Sequence, residues 1–138
     1  MPGIYIHVPF CESRCAYCDF YSTTLLSHRS AYVAMVCREL QLRLPELQGA
    51  PIETIYLGGG TPSTLTIEEL SSILTSLRNF HLSSFNFQLA EITLEANPDD
   101  LTEEYVQGLR TLPFNRVSIG IQSFHDRTLQ LVGRRHTA

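Results

Sequence analysis

The chain has 138 residues, 43% of them hydrophobic and 17% charged, a globular composition that excludes a disordered or fibrous protein. Its net charge is −4 and no basic run exceeds two residues (Arg134 and Arg135), so nucleic acid lacks its usual electrostatic footprint here. No run of about 18 apolar residues could span a membrane, and the opening from Met1 to His7 has neither the basic start nor the apolar core of a secretory signal.

A cytoplasmic location is therefore expected, where thiols stay reduced and can hold metal. Residues 3–8 read as a strand, with Ile4, Ile6 and Val8 alternating with Tyr5 and His7. Pro9 ends it. Cys11, Cys15 and Cys18 follow at once, spaced CxxxCxxC. Three thiolates on one short loop can hold three corners of a cuboidal iron–sulfur cluster, whose irons prefer soft ligands. The fourth iron is then open to a small molecule. A zinc site with His7 as fourth ligand, a disulfide and inert buried thiols are the competing readings. Phe20 and Tyr21 are expected either to pack over the loop or to be ordinary core aromatics.

A helix is expected over about 30–44, with Tyr32, Val33, Val36, Leu40 and Leu44 at helical spacing and Pro45 as its stop. Cys37, on that apolar face, reads as a core residue rather than a ligand. Residues 52–57 read as the second strand. Gly58, Gly59 and Gly60 follow, as a plain tight turn or as a close approach that offers N–H groups to an anion. Thr66 and Glu69 form a capping box, and Ile67, Leu70, Ile73, Leu74 and Leu77 form the buried stripe of a second helix. Residues 79–89 read as a polar and aromatic connector.

The third strand is expected over 90–96, with Glu95 at its end. A helix opening at Leu101 carries Tyr105, Val106, Leu109 and Leu112 on its inner face. The fourth strand is expected over 115–121 and runs into Gln122. A last helix over about 126–132 ends at Gly133. Four β-α units in succession predict an α/β fold with parallel strands and helical crossovers. The cysteines, the glycines, Glu95 and Gln122 each follow a different strand. In an α/β barrel these ends share one rim, where active sites are built. The chain stops just after the last helical segment, so one incomplete domain over 1–138 is expected.

The CxxxCxxC trio, with Tyr17 before the last cysteine, resembles the radical S-adenosylmethionine (SAM) superfamily. That resemblance implies a [4Fe–4S] cluster whose open iron chelates SAM, and one-electron cleavage of SAM to a 5′-deoxyadenosyl radical. Further stretches extend it: Tyr5 to Cys11, Tyr17 to Phe20, Tyr56 to Ser63, Glu95 to Pro98 and Ser118 to Phe124. Together they resemble the oxygen-independent coproporphyrinogen III oxidase family, and most of all its heme chaperone branch, the HemW-type proteins. The implied fold is a partial (β/α)6 barrel of the TIM type with a C-terminal extension, of which this chain covers about four βα units.

Residue by residue, the resemblance implies that Cys11, Cys15 and Cys18 ligate the cluster and that Tyr5 lies near cluster-bound SAM. Tyr17, Gly59, Gly60 and Thr61 would line the SAM pocket, and Glu95 would accept from the ribose hydroxyls. Gln122 and Arg134 match SAM-contacting positions of the oxidase branch, which holds a second SAM. Their plain alternatives are rim hydrogen bonds and a solvated helix-end cation. His7, His125 and His136 could serve as heme ligands or be ordinary rim histidines. No residue is assigned a catalytic step.

The oxidases carry a fourth cysteine two residues after the third, where this chain has Phe20. They also have a longer N-terminal extension. Both departures favour a heme chaperone that passes heme to acceptor proteins, membrane-associated ones among them. The alternative is an enzyme that oxidatively decarboxylates coproporphyrinogen III to protoporphyrinogen IX.

Overall fold

The computed structural model describes residues 2–80 and 91–138. Most of the connector expected over 79–89 lies outside them; its first two residues belong to a helix. The elements alternate as expected: β1 (Gly3–Val8), α1 (Arg29–Arg43), β2 (Thr54–Gly59), α2 (Ile67–Phe80), β3 (Glu91–Ala96), α3 (Glu103–Leu109), β4 (Arg116–Ile119) and α4 (Asp126–Leu131). The strands form one parallel sheet in the order β1-β2-β3-β4. Sequential order in a parallel sheet is what a barrel requires.

The two faces of the sheet differ in chemistry. Ile6, Val8, Ile55, Leu57, Ile92 and Leu94 are buried beneath the helices, together with Leu70, Ile73 and Leu77 of α2. The alternate positions, Tyr5, His7, Tyr56, Glu95 and Ser118, take the other face, because successive side chains of a strand point to opposite sides. That face is polar and aromatic. β4 is the exception on the helical side: Val117 and Ile119 remain exposed.

Local chemistry explains most of the helices. Thr66 Oγ1 accepts from the Glu69 N–H at 3.2 Å, and Glu69 Oε2 accepts from the Thr66 N–H at 2.9 Å, the reciprocal capping box read from the sequence. Thr102 caps α3 through the Tyr105 N–H at 3.2 Å. Gly133, at φ +75°, ends α4 in the left-handed region that glycine tolerates. Cys37 is half-buried among the core side chains, as expected.

Several boundaries move. β2 starts two residues late and takes in Gly58 and Gly59, because their backbones continue the ladder with His7 and Val8 of β1. β4 is only four residues long, and the chain breaks from it at Gln122, whose φ is +67°. Pro45 does not stop helical turning. It sits in the first turn of a 3-10 segment, Leu44–Leu47, where its missing N–H needs no partner. α3 starts two residues after Leu101 and ends at Leu109. Val106 is 38% exposed rather than inward, because the short helix turns only its Tyr105 and Leu109 side toward the core.

Tyr32 of α1 ties the helix layer to the root of the cysteine loop by donating its hydroxyl to the His7 carbonyl at 2.5 Å. Burial pushes its phenol up to about 12, with the Glu39 carboxylate adding to the shift. Tyr32→Phe should therefore lower stability by about 1 kcal/mol at neutral pH. A phenol raised on folding contributes fully below its unfolded value and is lost as pH rises through the folded one. Tyr5, Tyr17, Tyr56 and Tyr105 are also raised on folding, so both proteins should lose stability above about pH 10, but urea titrations should show the wild type losing more of it than the Phe variant. Parallel pH curves for the two proteins would refute the assignment.

Candidate functional site

The ends of all four strands surround one cleft of about 390 Å³. Its wall is built from Cys11 to Cys15, Tyr17, Cys18 and Phe20 after β1, and Gly59, Gly60 and Thr61 at the end of β2. Glu95, Ala96 and Asn97 close it at the end of β3, Ser118 to Gly120 and Gln122 around β4, and Gly133, Arg134 and Arg135 after α4. The candidate heme ligands His7, His125 and His136 are not on this wall, and of the candidate cluster and SAM residues only Tyr5 lies off it. It is 58% exposed on the polar face, stacked on Tyr56 with ring centroids 6.1 Å apart.

The cysteine loop is irregular between Cys11 and Cys18 but pinned at its root. The Cys11 N–H donates to the Thr23 carbonyl at 2.9 Å, and the Thr23 N–H to the Pro9 carbonyl at 2.7 Å. Cys11 is buried, Cys15 and Cys18 are half-buried, and all three are free thiols. Two of the sulfurs already face donors. Thr61 donates its hydroxyl to Cys11 Sγ at 3.4 Å, and Arg134 donates Nη1 to Cys15 Sγ at 3.5 Å. Hydrogen-bond donors aimed at sulfur are the kind of outer partner that orients a metal-ligating side chain. Among the described residues no three His, Cys, Asp or Glu side chains converge as closely as one metal ion demands. A cuboidal cluster makes no such demand, since each thiolate takes a different corner. The donor set fits the cluster.

Phe20 and Tyr21 do not pack over the loop. They are 66% and 78% exposed; Phe20 borders the cleft, and Tyr21 turns its carbonyl toward the His7 ring. His7 Nε2 donates to that carbonyl at 3.0 Å, which leaves Nδ1 to accept from the Tyr5 hydroxyl at 3.2 Å. Both ring nitrogens are thus engaged within the chain, and His7 is no free fourth ligand. His136 Nε2 likewise donates to the Ile121 carbonyl at 2.9 Å.

The glycines do not form an anion nest. The Gly59 N–H donates to Glu95 Oε2 at 3.0 Å, the Gly60 N–H to the Val8 carbonyl at 2.8 Å, and the Thr61 N–H to the Phe10 carbonyl at 2.7 Å. Close approach is their purpose. A Cβ on Gly60 would lie 2.8 Å from the Val8 and Phe10 carbonyl oxygens, and one on Gly59, at φ +111°, would lie 2.4 Å from the His7 ring. Glu95 is held from two sides, since Tyr56 donates its hydroxyl to Oε1 at 2.6 Å. This hydrogen bond, with burial, raises the Tyr56 phenol above its ordinary value, so it stays a donor. A carboxylate accepts about four hydrogen bonds, so Glu95 keeps capacity for two more on the cleft side.

Arg134 is not a solvated helix-end cation. Besides Cys15 it binds the Asn97 side-chain carbonyl at 3.1 Å and the Gly120 backbone carbonyl at 2.6 Å through Nη2. Gln122 keeps its place at the rim in a left-handed conformation rare outside glycine, a strain of the kind that gathers at functional sites. Sequence reasoning gave no role to Tyr56, Asn97, Glu12 or Arg135. For Tyr56 the signal was present, one residue out of phase with the buried Ile55 and Leu57. For the others it was not.

Comparison with known proteins follows the same line. The model of the Radical SAM superfamily matches residues 5–138. The heme chaperone HemW of Synechocystis sp. is 40% identical over 96% of this chain and 32% of its own length. HemW of Bacillus subtilis is 36% identical over 99% of this chain and 36% of its own length, and HemW of Escherichia coli 36% over 97% and 35%. Among solved structures, the coproporphyrinogen III oxidase HemN of Escherichia coli, a radical SAM enzyme, superposes with a TM-score of 0.86 at 30% identity. It covers 97% of this chain and 31% of that one. The chain spans about a third of the length of these relatives.

The least yielding steric demand in the cleft falls on Gly60, whose nearest neighbours are all backbone atoms. Gly60→Ala should cost about 1–3 kcal/mol, because the colliding atoms are backbone and cannot rotate away. Chemical denaturation checks this, and an unchanged midpoint would place the alanine without strain.

Proposed function

This chain belongs to the radical SAM superfamily, and on that footing we propose that it is the cluster-bearing part of a heme chaperone, which binds heme and passes it to acceptor proteins. Family membership implies a [4Fe–4S] cluster and SAM. The observation that carries the chaperone reading is Phe20. It stands at the cleft where the oxidases have a fourth cysteine, in a chain whose curated relatives are heme chaperones. Membrane-associated acceptors and a cytoplasmic location belong to the same proposal. Among the described residues no helix is long and apolar enough to cross a membrane.

Cys11, Cys15 and Cys18 would hold the cluster. When bound, cluster and SAM supply one-electron chemistry in this family. Thr61 and Arg134, which donate to the Cys11 and Cys15 sulfurs, would orient them toward the cluster. Glu95, fixed by Tyr56 and the Gly59 N–H, would accept from the ribose hydroxyls of SAM. Tyr17, Gly59 and Gly60 would shape the pocket beside it, and Gln122 and Arg134 would close it from the β4 side. Tyr5 would meet SAM from the polar face through its stack on Tyr56.

A second reading, the oxidative decarboxylation of coproporphyrinogen III, is favoured by the superposition on HemN. The deciding experiment uses the full-length protein, anaerobically reconstituted and supplied with SAM, reductant and coproporphyrinogen III, with products followed by chromatography. The expected outcome is no protoporphyrinogen and no mono-vinyl intermediate, with saturable binding when heme is titrated instead. Formation of either product would make the protein an oxidase. Cys15→Ala should abolish reconstitution of a four-iron cluster; unchanged iron content would remove Cys15 from the ligand set.

A further inference from the structure

The segment after α4 grips the cysteine loop. The Ala16 N–H donates to the Val132 carbonyl at 3.4 Å, and Arg134 reaches Cys15 as described. The next residue, Arg135, pairs through Nη1 with the Glu12 carboxylate, inside the loop itself. On its other side Arg135 binds Asp100 Oδ1 through Nη2 at 2.9 Å and faces Asp99 Oδ2 through Nε at 3.6 Å. Asp100 is the fixed end of this chain of contacts. Its side chain is 10% exposed, and its other oxygen accepts from the Ser63 hydroxyl at 2.5 Å, which itself accepts from the Asn97 N–H at 3.0 Å.

One guanidinium therefore bridges a carboxylate on an irregular loop and an anchored one. The fork of Arg can serve carboxylates on two sides at once, which the point charge of Lys cannot. Without it three carboxylates would face one another, and Glu12, on the least structured element, would be the one to move. An irregular loop that must present three thiolates together loses conformational freedom on ligation. Ordering it beforehand removes part of that cost. We propose that Arg135 is a positioning residue for the cluster: by tying Glu12 to Asp99 and Asp100 it holds the cysteine loop ready for ligation and slows loss of the cluster. This rests on the ligand role of the three cysteines and not on heme.

The test is the rate at which an iron chelator strips the reconstituted full-length protein, followed by cluster absorbance at low and high salt. Arg135 is 31% exposed, so its ion pairs are screened by salt, and wild-type loss should accelerate as salt rises. Arg135→Gln should lose iron about fivefold faster at low salt, a factor equivalent to about 1 kcal/mol, and with a flattened salt dependence. Glu12→Gln should accelerate loss as well, the double variant should be no worse than Arg135→Gln alone, and Arg135→Lys should recover part of the effect. Unchanged rates in Arg135→Gln overturn the proposal. So does faster loss that keeps the wild-type salt dependence and adds fully to Glu12→Gln, since that marks general damage. Arg135→Lys serves the same test if the Gln variant does not fold. A wild type that takes up no iron overturns the cysteine assignment and the clamp with it.

Discussion

The backbone of Gly60 and Thr61 lies against the backbone of Val8 to Phe10, and the rest of the site depends on that approach. Two N–H groups close it, at 2.8 and 2.7 Å, where no side chain could fit between. The contact extends β1–β2 pairing beyond the strands and fixes the root of the cysteine loop. Thr61 is thereby brought to Cys11, and the Gly59 N–H to Glu95. A tight turn would have met the same sequence signal with none of these consequences. The glycines are here because backbone must touch backbone and because Gly59 adopts φ +111°, a conformation costly for any other residue.

The division of the sheet into two chemistries follows from strand alternation. Every second residue of β1 to β3 is aliphatic and sealed beneath helices, so burial of those rows holds the sheet together. The intervening residues are free to carry polar work. Tyr5, His7, Tyr56 and Glu95 form a continuous hydrogen-bonded and stacked surface, in which Tyr56 is a donor to Glu95 rather than an acid. A carboxylate held by two donors has its rotamer already fixed, so the proposed contact of Glu95 with ribose hydroxyls would carry little entropic cost.

The thiols are treated differently from one another. Cys11 is buried and meets a neutral hydroxyl; Cys15 is more open and meets a guanidinium. Hydrogen bonds and charge around cluster sulfurs are what a protein uses to set affinity and potential. With the cysteines as proposed ligands, Arg134 would act on the cluster through Cys15 as well as on any bound molecule. Its anchors, Asn97 and the Gly120 carbonyl, lie at the ends of β3 and β4, so a single side chain joins three of the four strand ends.

The sequence by itself determined the β-α alternation, the parallel sheet, the capping box at Thr66, the helix stop at Gly133 and the gathering of the cysteines, the glycines, Glu95 and Gln122 around one cleft. These follow from periodicity and from the rule that strand ends in such a fold share a rim, both of which are local or topological. It offered Phe20 and Tyr21 as a cover over the loop or as core aromatics and placed Val106 in the core, and all three are exposed. Hydrophobicity names candidates for burial, but only packing decides which of them find a partner. Tertiary structure alone decided that the glycine N–H groups are consumed internally and that Arg134 and Arg135 turn back onto a loop more than a hundred residues earlier. Such pairings depend on where α4 ends in space, set by the stacking of all preceding elements, and no local pattern encodes that position.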